Sequence, residues 1–166
     1  MPSWADFEAA APEVAAKARE LIERHQFVLA GTIRRDGTAR ISPVEAHLVR
    51  GQLMLVMIRG TLKARDVLRD PRLVLNSPVM DAANPVAELK LRGHAVPVED
   101  PRLRAATKDA IESASGWRPR DDWHFFAIDL DDAAYMAWEG IYLRMDRWSV
   151  AGGLEHVEKL LDAPGA

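Results

Sequence analysis

The sequence has 166 residues, enough for one domain with a sizeable core, and it contains no cysteine. That absence excludes disulfides, thiol catalysis and metal sites built from Cys ligands. With 22 Lys and Arg against 25 Asp and Glu, the net charge is −3, so the chain lacks the global positive field that holds nucleic acid. The start of the chain lacks the pattern of a signal peptide, and no stretch approaches the roughly 18 apolar residues of a membrane span. We therefore expect a cytoplasmic protein with no nucleic-acid or membrane partner.

The first half of the chain predicts a helix followed by a meander of strands. Residues 12–25 place apolar side chains on one face, which is typical of an amphipathic helix entered through proline. Two Gly-containing turns separate three apolar runs, which predict antiparallel strands at 27–33, 38–48 and 53–58. A short helix at 61–69 and a strand at 73–76 follow, because the proline between them stops the helix.

The second half predicts further strands and two more helices. A loop at 81–85 precedes a strand at 86–98 that Gly93 interrupts, and Asp100-Pro101 begins a helix with an apolar stripe. A terminal helix is expected at 154–161, where Glu155 and Lys159 have the spacing of a helical ion pair. The last strands are predicted at 123–130, 133–138 and 141–148.

Together these elements predict a single domain over residues 1–166. Six or seven strands joined mostly by hairpins favour an antiparallel barrel over a doubly wound parallel sheet. The predicted fold class is α+β, mainly β, with helices at the periphery of the barrel.

Thr61 and Lys63 lie at the predicted start of the short helix. Thr61 has the position of an N-cap, and Lys63 is a cation in the first turn, where the helix dipole disfavours positive charge. A phosphate bound there would satisfy the free amides, the hydroxyl and the ammonium together. A plain cap followed by a solvated surface lysine would give the same pattern.

Arg40 and Ser42 form a second candidate pair, on the strand after the first turn. Residues two apart lie on one face of a strand, so both side chains can converge on a polar ligand while Ile41 faces the other way. An exposed strand face beside a hairpin is the alternative. Proline at position 43 removes a ladder donor and indicates an edge or a bulge.

Taken together, these motifs resemble a known family. The chain resembles the pyridoxamine 5′-phosphate oxidase-like split β-barrels, which bind flavin or deazaflavin. Four motifs carry the resemblance: the strand pair with Arg40-x-Ser42-Pro43, the apolar third strand, the Thr61-x-Lys63-Ala64 helix start and the helix exit 68–72. The resemblance covers roughly residues 15–150 and is least specific beyond residue 141. It implies a split barrel.

The resemblance also implies a cofactor site and a homodimer. In this family the flavin ring lies against the strand that corresponds to residues 56–58. Residues that correspond to Arg40, Thr61 and Lys63 hold the phosphate, and the site is built across a dimer interface. The partner's tail would bring Trp148 near the cofactor, although a core tryptophan is the alternative. The predicted cofactor-binding residues are Arg40, Ile41, Ser42, Val56, Met57, Ile58, Thr61, Lys63 and Trp148.

The function implied by this resemblance is a flavin-dependent oxidoreductase acting on an unidentified small organic substrate. FMN is the preferred cofactor, with F420 as the alternative, whose anionic tail could meet Arg65, Arg69 and Arg72. No catalytic acid or base is predicted, because the cofactor carries the chemistry. The tail 144–153 lacks the Arg-x-His pair of pyridoxamine phosphate oxidase itself, so that activity is not expected. The alternative function is a flavin or haem carrier without turnover.

The remaining polar residues predict no metal site. The five histidines are too far apart in sequence for a local metal motif. The paired carboxylates at 121–122 and 129–132 fall at predicted loop and strand ends, where solvated turns explain them.

Overall fold

The computed structural model describes residues 2–79 and 87–160. Within these ranges the helices are α1 Trp4–Ala10, α2 Pro12–His25, α3 Leu62–Arg69 and α4 Pro101–Ser115. The strands are β1 Phe27–Ile33, β2 Ala39–Val49, β3 Gln52–Met57, β4 Arg72–Asn76, β5 Ala87–Pro97, β6 His124–Glu139, β7 Tyr142–Ser149 and β8 Gly153–Leu160.

Six of these strands close into a barrel. They are hydrogen-bonded in the order β3-β2-β1-β4-β5-β6, every pairing is antiparallel, and β3 also pairs with β6 to complete the ring. The strands β7 and β8 continue the sheet beyond β6. The predicted α+β, mainly β, antiparallel split barrel with peripheral helices is confirmed.

The inner core fills the barrel and extends under the N-terminal helices. Trp4 and Phe7 of α1 are fully buried, and their rings meet edge to face with centroids 5.4 Å apart. The helix predicted at 12–25 coincides with α2, which begins at its proline. The helix α1 was not predicted, although Ser3 and Asp6 form a capping box at its start.

A second, outer core explains why β3 is apolar from Leu53 to Met57. The strand is buried on both faces: Leu55 packs in the inner core, while Met54 and Val56 belong to the outer cluster. The helix α4 covers this outer cluster with Ile111. A strand covered on both faces carries a continuous apolar run rather than an alternating one.

A β-bulge keeps β6 continuous over a stretch where the sequence predicts two separate strands. The pairing of β5 with β6 shifts register between Arg92 and Gly93, so β6 runs without a break through the positions where the sequence predicted two strands. A Cβ on Gly93 would lie 2.0 Å from the carbonyl oxygen of Asp129. Only glycine therefore permits this close approach of the two strands.

The terminal helix predicted at 154–161 is wrong. Residues Gly153–Leu160 form β8, which pairs with β7 along its whole length. Gly153 has a φ of 69°, which suits the tight turn that begins the hairpin. Cross-strand hydrogen bonding to β7 thus overrides the helical spacing of Glu155 and Lys159. Position 161 and the predicted loop at 81–85 lie outside the described residues.

Of the described helices, none has the length and apolar character needed to cross a bilayer.

Candidate functional site

The N-terminus of α3 offers free backbone donors. Thr61 occupies the N-cap position, as predicted, but its hydroxyl donates to the carbonyl oxygen of Ile58 at 2.8 Å and does not cap the helix. None of the hydrogen bonds among the described residues uses the amides of Leu62, Lys63 or Ala64. These N–H groups lie at the positive end of the helix dipole, an arrangement that favours an anion.

Lys63 brings a cation to the same place. Its Nζ donates to the carbonyl oxygen of Pro43 on β2 at 2.6 Å, and burial lowers the pKa of this lysine below its usual 10.5. Within the described ranges no carboxylate lies within ion-pair distance of Lys63. The helix start and the lysine together therefore form a positive region without a compensating negative charge.

Arg40 of β2 contacts α3 one helical turn beyond Lys63, at Asp66. Its Nε donates to Asp66 Oδ2 at 2.6 Å, and that carboxylate is only 6% exposed. Burial opposes ionisation of Asp66, but Arg40 and Arg69 outweigh it and hold its pKa below 3.8. The remaining guanidinium nitrogens of Arg40 make no hydrogen bond to the described residues.

Ser42 shares the face of Arg40, as predicted. The β1–β2 register sets Arg40 opposite Thr32 and Ser42 opposite Ala30, and Ala30 lies in the inner core. The two candidate side chains therefore point toward the barrel interior below α3. Ile41 points the other way and is 73% exposed.

An open cavity of about 310 Å³ adjoins Lys63 on the outer side of the barrel. We call it the Lys63 cavity. Its strand side is apolar and includes Pro43 and Val44 of β2, Val56 of β3 and Ile58, which directly follows β3. Two tryptophans from the loop between α4 and β6, Trp117 and Trp123, form the facing wall. Apolar walls beside a cationic group suit a flat ligand that carries a phosphate.

A carboxylate also lines the Lys63 cavity. Glu45 Oε1 accepts a hydrogen bond of 3.1 Å from Nε1 of Trp117. Burial raises the pKa of Glu45 above its usual 4.5, and the bond from Trp117 only partly offsets this. Gly116 ends α4 with a φ of 78°, and the chain then turns so that Trp117 reaches β2.

Sequence analysis missed Glu45, Trp117 and Trp123. The hydrogen bond between Glu45 and Trp117 joins positions 72 residues apart, so no local spacing could reveal it. The one available signal is the alternation of side chains along β2, which puts Glu45 on the same face as Pro43, two residues before it.

The structure brings together only part of the predicted set. Val56 and Ile58 line the Lys63 cavity next to Lys63, whereas Arg40, Ile41, Ser42 and Thr61 do not line it. Met57 is 1% exposed and its side chain packs in the inner core, so only its backbone is near the cavity. Trp148 is 5% exposed in the same core and lies 4.9 Å from Phe7, centroid to centroid.

Two of the larger cavities lined by described residues lie elsewhere on the barrel. One, of about 480 Å³, includes the edge of Trp148 together with Arg92 and Asp132, which form an ion pair. The other, of about 470 Å³, is lined by Arg72, Arg92 and His94. Neither touches the start of α3, so the anion-binding features belong to the smaller Lys63 cavity. In the part of the chain that the structure describes, no three His, Asp or Glu side chains are grouped to hold a metal ion.

Comparison with known proteins places this barrel in a family. A family model for pyridoxamine 5′-phosphate oxidase matches residues 14–137. The chain belongs to the pyridoxamine 5′-phosphate oxidase-like family. The match covers the barrel from α2 almost to the end of β6, and with it β2, β3 and the start of α3. No curated protein matches the sequence of this family member.

Solved structures share the fold of this family member at low sequence identity. Campylobacter jejuni ChuZ gives a TM-score of 0.72 at 13% identity, over 88% of this chain and 63% of ChuZ. A heme binding protein from Mycobacterium smegmatis gives 0.62 at 20% identity, over 90% of this chain and 59% of that protein. An F420 reductase gives 0.55 at 20% identity, over 69% of this chain and 94% of the reductase. This chain therefore spans less than two thirds of the first two proteins, and the likeness to all three concerns the fold.

Proposed function

We propose that this protein is a flavin-dependent oxidoreductase that binds FMN, or else the deazaflavin F420, in the Lys63 cavity and acts on a small organic substrate. The observation that carries the proposal is the uncapped start of α3 with Lys63 at the edge of an apolar, tryptophan-walled cavity. Family membership supports it, because the fold is shared with an F420 reductase.

The residues present fit a phosphorylated flavin. The free amides of α3 and the Lys63 ammonium would hold the phosphate. Val56 and Ile58 would contact the ring on one side. A bound flavin supplies hydride and electron transfer, so the protein's own task is to orient the ring and exclude water.

The arginines around α3 favour FMN over F420. Arg72 is paired with Asp70 at 2.7 Å, and Arg69 donates to Asp66 and to the carbonyl oxygen of Ile33. Two of the three cations that could meet an anionic tail are thus engaged within the chain, which leaves Arg65. A single unengaged arginine gives a long polyanionic tail little to bind.

A homodimer with the site at its interface completes the proposal. A cavity of 310 Å³ is at the lower limit of the range of about 300–1,000 Å³ for small-molecule sites. A flavin would therefore remain partly exposed on one subunit. Ile58 at the cavity rim is 49% exposed and Ile41 nearby on β2 is 73% exposed, and a second subunit packed on them would cover the ring.

Haem binding without turnover is the second candidate function. The heme binding protein of similar fold supports it, and so does the cavity of about 470 Å³, where His94 stands with Arg72 and Arg92 above an apolar floor. A histidine offers an axial ligand. The two arginines are paired with Asp70 and Asp132 and would have to release these partners to hold the haem carboxylates. Haem would accordingly bind at His94, away from Lys63.

The deciding experiment is a parallel titration of the purified protein with FMN, F420 and haem, followed by absorbance and fluorescence. Binding of FMN or F420 that depends on Lys63, together with turnover of a reduced nicotinamide, is the expected result. Haem binding that is lost in His94→Ala but not in Lys63→Ala would support the second candidate. Failure of all three to bind would overturn both functions.

A further inference from the structure

Two carboxylates near the candidate site differ in how their charge is compensated. Asp66 is surrounded by donors: Arg40 at 2.6 Å, Thr32 at 3.3 Å and Arg69 at 3.4 Å. Glu45 accepts one hydrogen bond from the described residues, that of the neutral indole of Trp117. No Lys, Arg or His of the described ranges is within 4.0 Å of it. A partly buried carboxylate without a counterion favours a ligand that supplies one.

The uncompensated oxygen faces a site suited to a flat cation. Glu45 and both tryptophans line the same cavity as Lys63, and the rings of Trp117 and Trp123 lie 5.4 Å apart, tilted by 47°. Tryptophan faces attract cations through the ring quadrupole, most strongly where water is excluded. The hydrogen bond from Trp117 fixes Oε1, which leaves Oε2 for a ligand.

We propose that Glu45, positioned by Trp117, makes the tryptophan end of the Lys63 cavity a subsite for a small flat cation, such as a protonated aromatic amine or amidine, and excludes carboxylates. The cavity is then bipolar, with the phosphate of the cofactor at Lys63 and the positively charged group of the substrate at Glu45. This inference gives a substrate class to the site and rests on the proposed function for the identity of the cofactor.

The test uses three nearly isosteric probes: benzamidine as the cation, benzamide as the neutral form and benzoate as the anion. Their affinities are measured by calorimetry or ligand-observed NMR on the full chain with the cofactor that the titration identifies. They are also measured without cofactor in a Lys63→Ala background, where benzoate has no lysine to pair with. We expect benzamidine to bind the wild type at least about tenfold more tightly than benzoate, because a like charge next to a desolvated carboxylate is strongly disfavoured. In Glu45→Gln the two affinities should differ by less than about threefold.

Control variants distinguish an effect of Glu45 from the effect of removing any surface carboxylate and from a loss of folding. Glu155→Gln removes a carboxylate that lines the larger cavity instead, and it should keep the wild-type preference. Glu45→Ala is a second neutral variant in case the amide does not fold. An unchanged benzamidine preference in a folded Glu45 variant, or no binding of any probe to the wild type, would overturn the subsite. Failure of FMN and F420 to bind would instead overturn the proposed function, because probe binding is read without cofactor as well.

Discussion

Asp66 of α3 accepts a 2.6 Å hydrogen bond from Nε of Arg40 on β2. One helical turn earlier, Lys63 donates to the carbonyl oxygen of Pro43, three residues further along the same strand. Residues three apart lie on one side of a helix, so α3 is fastened to β2 at two successive points. The start of α3 is consequently held in place before any ligand binds, which reduces the entropic cost of binding.

Replacing Arg40 should destabilise the fold as well as the site. In Arg40→Ala the nearly buried Asp66 keeps Arg69 as its only charged partner among the described residues, and breaking a buried pair typically costs about 3–5 kcal/mol. We expect a loss of about 3 kcal/mol in the free energy of unfolding, measured by urea denaturation. The double variant Arg40→Ala/Asp66→Ala should be more stable than Arg40→Ala alone, because it leaves no buried charge. Equal stability of the two would show that the pair is not coupled.

The ionisation of Asp66 should appear in the acid stability of the protein. Its pKa in the fold is below the usual 3.8, so the folded state binds its proton less tightly than the unfolded state. Its contribution is complete above pH 3.8 and is lost as the pH falls through the folded-state pKa. The difference in unfolding free energy between wild type and Asp66→Asn should shrink over that window. A constant difference down to pH 2 would contradict this prediction.

Glu45 should have the opposite effect on stability. Its pKa is raised above 4.5 in the fold, so the folded state holds this proton more tightly. The wild type should therefore lose stability relative to Glu45→Gln as the pH rises from 4.5 through the raised pKa. His47, whose pKa burial lowers below 6.5, acts in both proteins and cancels in the difference. Parallel stability curves would mean that Glu45 titrates normally.

Removing Lys63 should weaken cofactor binding with little effect on folding. Charge-assisted hydrogen bonds contribute roughly 1.5–3 kcal/mol, which corresponds to about a 10- to 150-fold increase in Kd for FMN in Lys63→Ala. The lysine donates to one strand carbonyl, so the melting temperature should change little. Lys159→Ala, on the exposed strand β8, is the matched control and should bind FMN like the wild type. Equal FMN affinity of Lys63→Ala and the control would remove Lys63 from the site.

The sequence predicts the phosphate end of the candidate site better than its other end. Thr61 and Lys63 lie within one turn of one helix, so local spacing is enough to place them together. The same kind of spacing puts Arg40 and Ser42 on one face of β2, but it cannot show that this face is the inner one, away from the Lys63 cavity. The tryptophan end joins β2 to a loop more than 70 positions away. Such a contact depends on the closure of the whole barrel and has no local signature.

The fold differs from prediction where short segments permit two structures. The spacing of Glu155 and Lys159 fits a helical pair, yet the same segment pairs with β7. The neighbouring Gly152-Gly153 is itself a hairpin signal and outweighs one weak ion pair. In contrast, the helix at 12–25 and the meander of β1 to β3 were predicted closely, because strong periodicity and turn residues agree there.

Position 93 of the barrel tolerates only glycine. A methyl group there would overlap the backbone of Asp129, and backbone cannot rotate away as a side chain can. Because β6 also closes the barrel by pairing with β3, strain from a side chain at position 93 would disturb the β3–β6 pairing as well as the β5–β6 pairing. In a library of all single substitutions, position 93 should accept none of the other nineteen residues, whereas the positions along the exposed strand β8 should accept most of them.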